Sequence, residues 1–282
     1  AGALSHARPA LMRRAIRRRP DRPGEALAEF RIGIGAMPWL ADHCVQRIPI
    51  LPGSFYIELA RFIEQELCGR ALCAVRDVRF DRPIILSQEL VTIRAHVQEH
   101  ANGRVDYAFD EGDLAAAQPA VRLQVVPDAL APSANDSLVA ERFPAQAGPA
   151  ADAERVYEML RANGNEYGPS FQRIRSLWTS GTRSMGKIST PRPWMGNGLH
   201  PSLLDAMVQM LIASASGNGK TCVLRSIEQI DVPDGDLPGT LWACTEIDGD
   251  PAGNALRGSV QAFDESGQRR LRLSTVELAL LD

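Results

Sequence analysis

Three polar side chains in two distant segments are suited to proton transfer. His43 lies nine residues before Pro52, and Asp205 and Gln209 lie four residues apart in an otherwise apolar segment. Residues four apart share one face of a helix, and apolar surroundings favour the protonated form of a carboxyl group. A histidine that accepts a proton and an acid that donates one could remove water from two adjacent carbons. The sequence therefore predicts His43 as base, Asp205 as acid and Gln209 as the side chain that orients Asp205.

The start of the first long helix could stabilise the negative charge that forms in such a reaction. Pro52, Gly53 and Ser54 have the composition of a helix start. The first N–H groups of a helix have no partner within it, and the helix dipole favours an anion there. We expect Gly53 and Ser54 to face the enolate-like oxygen of a thioester, and Gly53 to allow close approach to the backbone. Purely structural roles remain open. His43 could be a packed core residue, and Asp205 and Gln209 could form a hydrogen bond only with each other or with a buried backbone group.

Each half of the chain contains one long apolar helix and a series of strands, which must position these residues. A helix lies at 51–67 and another at 201–214, and the second is apolar on nearly every side. The other predicted elements are a short helix at 153–162 and strands at 26–34, 74–80, 90–97, 104–109, 120–126, 174–178, 184–189, 223–230, 240–246, 256–263 and 271–280.

A helix that is apolar all round must be buried all round, and a sheet wrapped around it achieves this most simply. The sequence therefore predicts an α+β double hotdog, with two antiparallel sheets that each wrap a long central helix. The predicted units are a basic arm or linker at 1–25, a hotdog at 26–130, a linker at 131–152 and a second hotdog at 153–282. Two unrelated α+β domains are the alternative.

Composition excludes several classes of protein. The 282 residues carry a net charge of −3, which argues against general binding to nucleic acid or membrane surfaces. The local exception is an N-terminal arginine cluster, interpreted as a solvated arm or as a docking site for an acidic partner. The five cysteines form no CxxC pair, which favours free thiols in a reducing compartment and gives no zinc signature. No segment predicts a membrane span or a secretory signal. We expect a cytoplasmic protein, and the abrupt ends suggest a piece of a longer polypeptide.

Three motifs resemble those of dehydratase domains of modular type I polyketide synthases. The first, HxxxGxxxxP, is present as His43 and Pro52 with Arg47 at the glycine position. The second is Tyr167-Gly168-Pro169 followed by Phe171. The third, HPxxLDxxxQ, is complete: it consists of His200, Pro201, Leu204, Asp205 and Gln209.

The resemblance implies that His43 from the first hotdog and Asp205 from the second line one tunnel. It implies a β-hydroxyacyl substrate on the phosphopantetheine arm of an acyl carrier protein, and no metal or dissociable cofactor. Neighbouring synthase domains and a second copy of the chain are the other implied partners. Tyr167 would hydrogen-bond the substrate, shape the entrance or simply fix a turn, and Pro52 and His200 would support the site.

Arg47 departs from the motif, and three consequences remain open. Glycine there would permit a positive φ, so that arginine would strain the loop. The arginine could instead act on His43 through its charge, or it could point outward without effect. The alternatives to a dehydratase are therefore a cyclising, pyran-forming or double-bond-shifting domain on the same fold, and a catalytically inactive structural module.

Overall fold

Strands and three α-helices make up most of the chain that the structure describes. The structure is a computed structural model, and it describes residues 13–69, 74–112, 118–127, 149–193, 199–215, 219–231, 236–248 and 254–281. The N-terminal half contains β1 (Arg13–Arg18), β2 (Glu25–Ile32), a 3₁₀ helix (Pro38–Asp42), β3 (His43–Val45), β4 (Ile48–Pro49), α1 (Gly53–Cys68), β5 (Ala74–Phe80), β6 (Val91–Glu99), β7 (Val105–Glu111) and β8 (Val121–Val126). The C-terminal half contains β9 (Ala151–Asp152), α2 (Ala153–Ala162), β10 (Asn165–Tyr167), β11 (Ile174–Ser180), β12 (Arg183–Ser189), α3 (Pro201–Ser214), β13 (Thr221–Asp231), β14 (Thr240–Asp248), β15 (Ala255–Phe263) and β16 (Arg269–Leu281).

One antiparallel sheet runs through both halves. Its order is β1-β2-β6-β7-β8-β5-β13-β16-β15-β14-β12-β11-β9. The first six strands belong to the N-terminal half and the last seven to the C-terminal half. β5 and β13 pair where the halves meet, with Val78 opposite Ile227. The two predicted sheets are thus joined edge to edge, which satisfies the backbone groups that two free edges would expose.

The two long helices are buried as the apolar pattern predicts. Every residue of α3 from Pro201 to Ala213 is buried, and the helix packs on β11, β12, β14 and β15. α1 buries an apolar stripe that includes Phe55, Leu59 and Ile63, and it ends at Gly69 in the left-handed conformation. The predicted bounds of α2 and α3, 153–162 and 201–214, match the structure.

The assignment of residues 1–25 to a solvated arm is wrong for part of that segment. Residues 13–18 form β1, the edge strand of the sheet, and Ile16 pairs with Ala28 and packs against the core. Arginines occur both in solvated arms and on exposed edge strands, where their charge opposes pairing with other chains. The basic composition therefore did not distinguish this strand from an arm. The end of the predicted linker is also structured, since β9 pairs with β11. Residues 1–12 and 131–148 lie outside the described residues.

A second, three-stranded sheet links the halves and packs against α2. Its order is β10-β3-β4, so that a strand of the C-terminal half pairs with two from the N-terminal half. In the β3–β10 ladder, His43 lies opposite Tyr167. This small sheet holds the segment around His43 against the C-terminal half.

Candidate active site

His43 is held in one tautomer by the backbone of its own loop. It is the first residue of β3, directly after the 3₁₀ helix. Its Nδ1 lies 3.1 Å from the carbonyl oxygen of Ile50. Because a carbonyl only accepts, Nδ1 must carry the proton in the neutral ring. The other nitrogen, Nε2, then presents a lone pair, as a base requires.

Asp205 faces this lone pair from the opposite half of the molecule. The distance between His43 Nε2 and Asp205 Oδ1 is 3.4 Å, and the two side chains are 8% and 10% exposed. Both residues line one cavity of about 240 Å³. The structure thus brings together two groups that are 162 positions apart in the sequence.

Gln209 holds the second oxygen of the Asp205 carboxyl group. Its Nε2 donates to Asp205 Oδ2 at 2.6 Å and to the carbonyl oxygen of Phe171 at 3.2 Å. Its Oε1 accepts from the Tyr157 hydroxyl at 3.1 Å, and that hydroxyl accepts from the N–H of Ile174 at 2.9 Å. Every polar atom of the amide has a partner, so its orientation is fixed. Oδ1 is left to face His43.

His200 caps α3, the helix that carries Asp205. Its Nδ1 accepts from the N–H of Ser202 at 3.1 Å, and its ring lies 5.0 Å from that of Trp39. Burial, aided by the nearby charge of Arg173, lowers the pKa of His200 to about 4. A neutral ring is the form that can accept at a helix N-terminus. His200 therefore positions the helix and does not line the cavity.

Aromatic rings enclose the imidazole of His43. The ring of Tyr167 meets it edge-on at 5.6 Å, and the ring of Phe171 lies 5.2 Å away. Tyr167 lines the cavity. Burial, with a smaller effect from Asp205, raises the pKa of Tyr167 well above its usual range. Tyr167 is thus a neutral ring beside the imidazole of His43, as well as part of the β3–β10 ladder.

The residue before His43 fastens the two halves together. Asp42 accepts the N–H of Gly168 through its backbone carbonyl and the N–H of Ser170 through its carboxylate, both at 2.8 Å. A Cβ at position 168 would overlap the Asp42 carboxyl group. The glycine of the Tyr-Gly-Pro motif is therefore required for this close approach.

The N-terminus of α1 borders the same cavity. Pro52 is the N-cap residue, and Gly53, the first helical residue, lines the cavity. A Cβ at Gly53 would lie 2.8 Å from the Phe80 ring and 3.0 Å from Leu224. Gly53 thus allows the close approach that the sequence analysis expected, and the groups that approach are these two side chains.

Arg47 lies outside the cavity. It is exposed, and with Gln46 it forms the two-residue turn between β3 and β4. Both residues have positive φ, 47° for Gln46 and 66° for Arg47, as in a type I′ hairpin turn. The Arg47 N–H donates to Glu166 at 2.8 Å. The backbone of Arg47 is therefore strained, and the side chain of Arg47 does not enter the cavity.

The cavity has largely apolar walls and charged residues where it meets solvent. Its walls include Leu51, Phe80, Val208, Ile212 and Leu224, and the exposed residues that line it include Asp81, Arg82 and Arg225 together with Leu281. Such a space suits an acyl chain that enters from a charged surface.

Other features of the described ranges concern membranes, metals and thiols. No helix in these ranges has the length and apolar character that a membrane crossing needs. The described residues contain no cluster of three or more His, Cys, Asp or Glu side chains that could hold a metal ion. Cys44, Cys68, Cys222 and Cys244 are not joined by disulfides, and Cys73 lies outside the described residues.

Family models cover most of the chain. Residues 136–282 match the model described as polyketide synthase dehydratase N-terminal domain, and residues 12–111 match polyketide synthase dehydratase domain. The chain belongs to the polyketide synthase dehydratase family. It is thus a dehydratase domain of a modular synthase, as the three motifs predicted.

Similar proteins are much longer than this dehydratase domain. The polyketide synthase GfsE of Streptomyces halstedii is 31% identical over 200 residues, which cover 65% of this chain and 5% of the relative. The pikromycin polyketide synthase component PikAII of Streptomyces venezuelae is 31% identical over 205 residues, which cover 64% of this chain and 5% of the relative. The domain therefore spans about a twentieth of the length of these relatives.

Solved structures share the fold of this dehydratase domain. The dehydratase domain from the CurF module of the curacin polyketide synthase has a TM-score of 0.81 at 20% identity, and 97% of this chain and 99% of that chain are covered. The dehydratase domain of a mycocerosic acid synthase-like polyketide synthase has a TM-score of 0.80 at 20% identity, with 99% of each chain covered. The double-hotdog prediction is confirmed.

The sequence analysis missed several residues that shape the site. Tyr157 binds Gln209, and Asp42 fastens the halves; neither belongs to a motif that the sequence analysis used for the chemistry. Tyr157 lies on the buried side of α2 with Val156 and Leu160. Its position on the apolar face of this helix could have indicated that its hydroxyl group is buried and needs a partner. Nothing in the local pattern indicates which side chain it meets.

Proposed function

We propose that this domain dehydrates a β-hydroxyacyl thioester, carried on an acyl carrier protein, to the α,β-unsaturated acyl thioester during polyketide biosynthesis. One observation carries the proposal: His43 Nε2 and Asp205 Oδ1 lie 3.4 Å apart in one largely buried cavity. A base and an acid at this separation can act on adjacent carbons of one substrate.

The proposed reaction begins at the carbon next to the thioester. Nε2 of His43 takes a proton from that carbon, and the electron pair moves onto the thioester carbonyl oxygen. The N–H groups at the start of α1, at Gly53 and Ser54, are the proposed donors to this oxygen, since the helix dipole favours negative charge there.

The proposed second step breaks the carbon–oxygen bond. The enolate electrons form the new double bond while Asp205 donates its proton to the departing hydroxyl group, which leaves as water. Because Gln209 holds Oδ2, the proton that is transferred is carried by Oδ1, which faces the cavity. The proton on His43 can then return to Asp205 across the 3.4 Å gap, which restores both groups.

The proposal includes the partners that the family resemblance implies. The acyl carrier protein delivers the substrate, neighbouring synthase domains make and use it, and a second copy of the domain forms a homodimer. Protein groups supply the acid, the base and the oxyanion donors, so the proposed steps call for no metal or dissociable cofactor.

The position of Arg47 favours an active enzyme over an inactive module. The side chain is exposed and does not line the cavity, so it does not obstruct the approach of a substrate. The strain at its backbone lies in a hairpin turn, four residues from His43.

The test is incubation with a β-hydroxyacyl pantetheine thioester, read by mass spectrometry. Wild type should release water, and His43→Phe and Asp205→Asn should each lose at least about a hundredfold in rate, as is typical when a positioned acid or base is removed. His96→Phe, a matched change at an exposed position of β6, should retain wild-type rate. An isobaric ring product, unchanged substrate, or full activity in either site variant would contradict the proposal.

A further inference from the structure

Tyr56 is a buried tyrosine whose hydroxyl has no hydrogen-bond partner. It lies on α1, one turn after Gly53, and only 2% of its surface is exposed. Within the described part of the chain, nothing bonds its hydroxyl oxygen, although that atom is fully buried. The residue lines the cavity that contains His43 and Asp205.

Two other buried tyrosines of the chain contrast with Tyr56, because their hydroxyl groups have partners. Tyr107 donates to Glu64 at 2.7 Å, and Tyr157 donates to Gln209 at 3.1 Å. Burial of a hydroxyl group without a partner destabilises a folded protein, so buried hydroxyls are nearly always bonded. An unpartnered hydroxyl at the wall of a cavity can gain its hydrogen bond from a ligand that binds there.

Nearby charged groups are engaged elsewhere. The guanidinium of Arg82 pairs with the carboxylate of Asp110, which also accepts the N–H of Glu111 at 2.7 Å. These groups are close enough to influence Tyr56, but burial is the larger effect and raises the pKa of the phenol far above its usual range. The phenol therefore stays neutral and has a proton to donate.

The geometry points to Tyr56 as a specificity-determining residue. We propose that its hydroxyl donates a hydrogen bond to an oxygen acceptor of the bound thioester, at a distance from the reacting carbons. This rests on the proposed function. The proposed donors to the thioester carbonyl are the N–H groups of Gly53 and Ser54, so the acceptor for Tyr56 is assigned to a different oxygen of the ligand. The acceptor is a carbonyl or hydroxyl oxygen, either in the acyl chain or in the pantetheine arm.

The test measures the binding of thioesters by calorimetry to the Asp205→Asn variant, which should bind them without converting them. One ligand pair differs only in a carbonyl or a methylene further along the 3-hydroxyacyl chain. A second pair carries one acyl group on pantetheine or on a simple propyl thiol. If the acceptor is in the acyl chain, the oxygenated ligand should bind about tenfold more tightly than its methylene match, and Tyr56→Phe should remove that preference. If it is in the arm, Tyr56→Phe should weaken binding of the pantetheine thioester of the second pair about tenfold and leave binding of its propyl thioester unchanged.

Tyr107→Phe is the matched control, because it removes the hydroxyl of an equally buried tyrosine that has a partner. Tyr107→Phe should lower the unfolding temperature and leave every affinity unchanged, whereas Tyr56→Phe should leave the unfolding temperature unchanged or raise it. Equal affinities for all ligands in Tyr56→Phe and its parent would overturn the proposal, as would a fall in stability like that of Tyr107→Phe. Failure of the proposed function would appear separately, as absence of dehydration by wild type.

Discussion

Replacement of Arg47 by glycine should stabilise the domain without loss of activity. Arg47 occupies the left-handed region with φ of 66°, where a Cβ atom crowds the backbone. That conformation costs a non-glycine residue about 1–2 kcal/mol. Glycine removes the crowding but adds about 0.4–1 kcal/mol of freedom to the unfolded chain. The balance is a net stabilisation of about 0.8 kcal/mol, the midpoint of a range from about 0 to 1.6 kcal/mol.

The contacts around the turn support this balance. The side chain of Arg47 is exposed, so little packing is lost. Its N–H donates to Glu166 through the backbone, a bond that glycine retains. For a domain of this size we expect a rise in melting temperature of about 1–3 °C, measured by thermal unfolding, with an unchanged dehydration rate.

Arg47→Ala separates backbone strain from the charge. Alanine removes the guanidinium but keeps the Cβ atom, so it should give no gain in stability. If alanine and glycine stabilised the domain equally, the charge would be the cause and the strain argument would be wrong. A lower melting temperature in Arg47→Gly would refute it as well.

Two further predictions concern the residues that position the site. Gly168→Ala should destabilise the domain by about 1–3 kcal/mol and slow dehydration, because the new methyl group overlaps Asp42. Gly239→Ala is the control, because a Cβ at that position meets no atom within 4 Å. Equal unfolding temperatures in the two variants would contradict the steric argument. The folded pKa of His200, about 4, lies below its usual value of 6.5, so its contribution to stability is present above pH 6.5 and is lost as the pH falls towards 4. His200→Asn, which keeps a cap, should show a smaller loss of stability between pH 6.5 and pH 4 in denaturant titrations, and an unchanged loss would exclude His200 as its source.

The local elements could be predicted because their causes are local. The residues of α3 are apolar on nearly every side, and a proline stands at its start, so its bounds followed from the pattern. β5 was also bounded correctly at 74–80, since the turn signal Asp81-Arg82-Pro83 follows it directly. β1 was missed because its pattern is short and its arginines resemble a solvated arm.

The candidate site could be predicted only in part. The motif residues His43, Asp205 and Gln209 are identifiable by type and spacing, since a buried acid and amide on one helical face are unusual. Their partners are not. The carbonyl group of Ile50 fixes the His43 tautomer, and the hydroxyl group of Tyr157 holds Gln209. Nothing in the sequence distinguishes Ile50 or Tyr157 from other residues of the same type.

By itself, the amino-acid sequence determined the helices, most strands, the three motifs and the two groups suited to proton transfer. Tertiary structure alone decided that β5 pairs with β13, that β10 of one half pairs with β3 of the other, and that His43 and Asp205 lie 3.4 Å apart. The reason is that hydrophobic periodicity reports which face of an element is buried, but not which distant element covers it. That choice depends on how the whole sheet closes around both helices, where residues more than a hundred positions apart satisfy each other's backbone and side-chain groups.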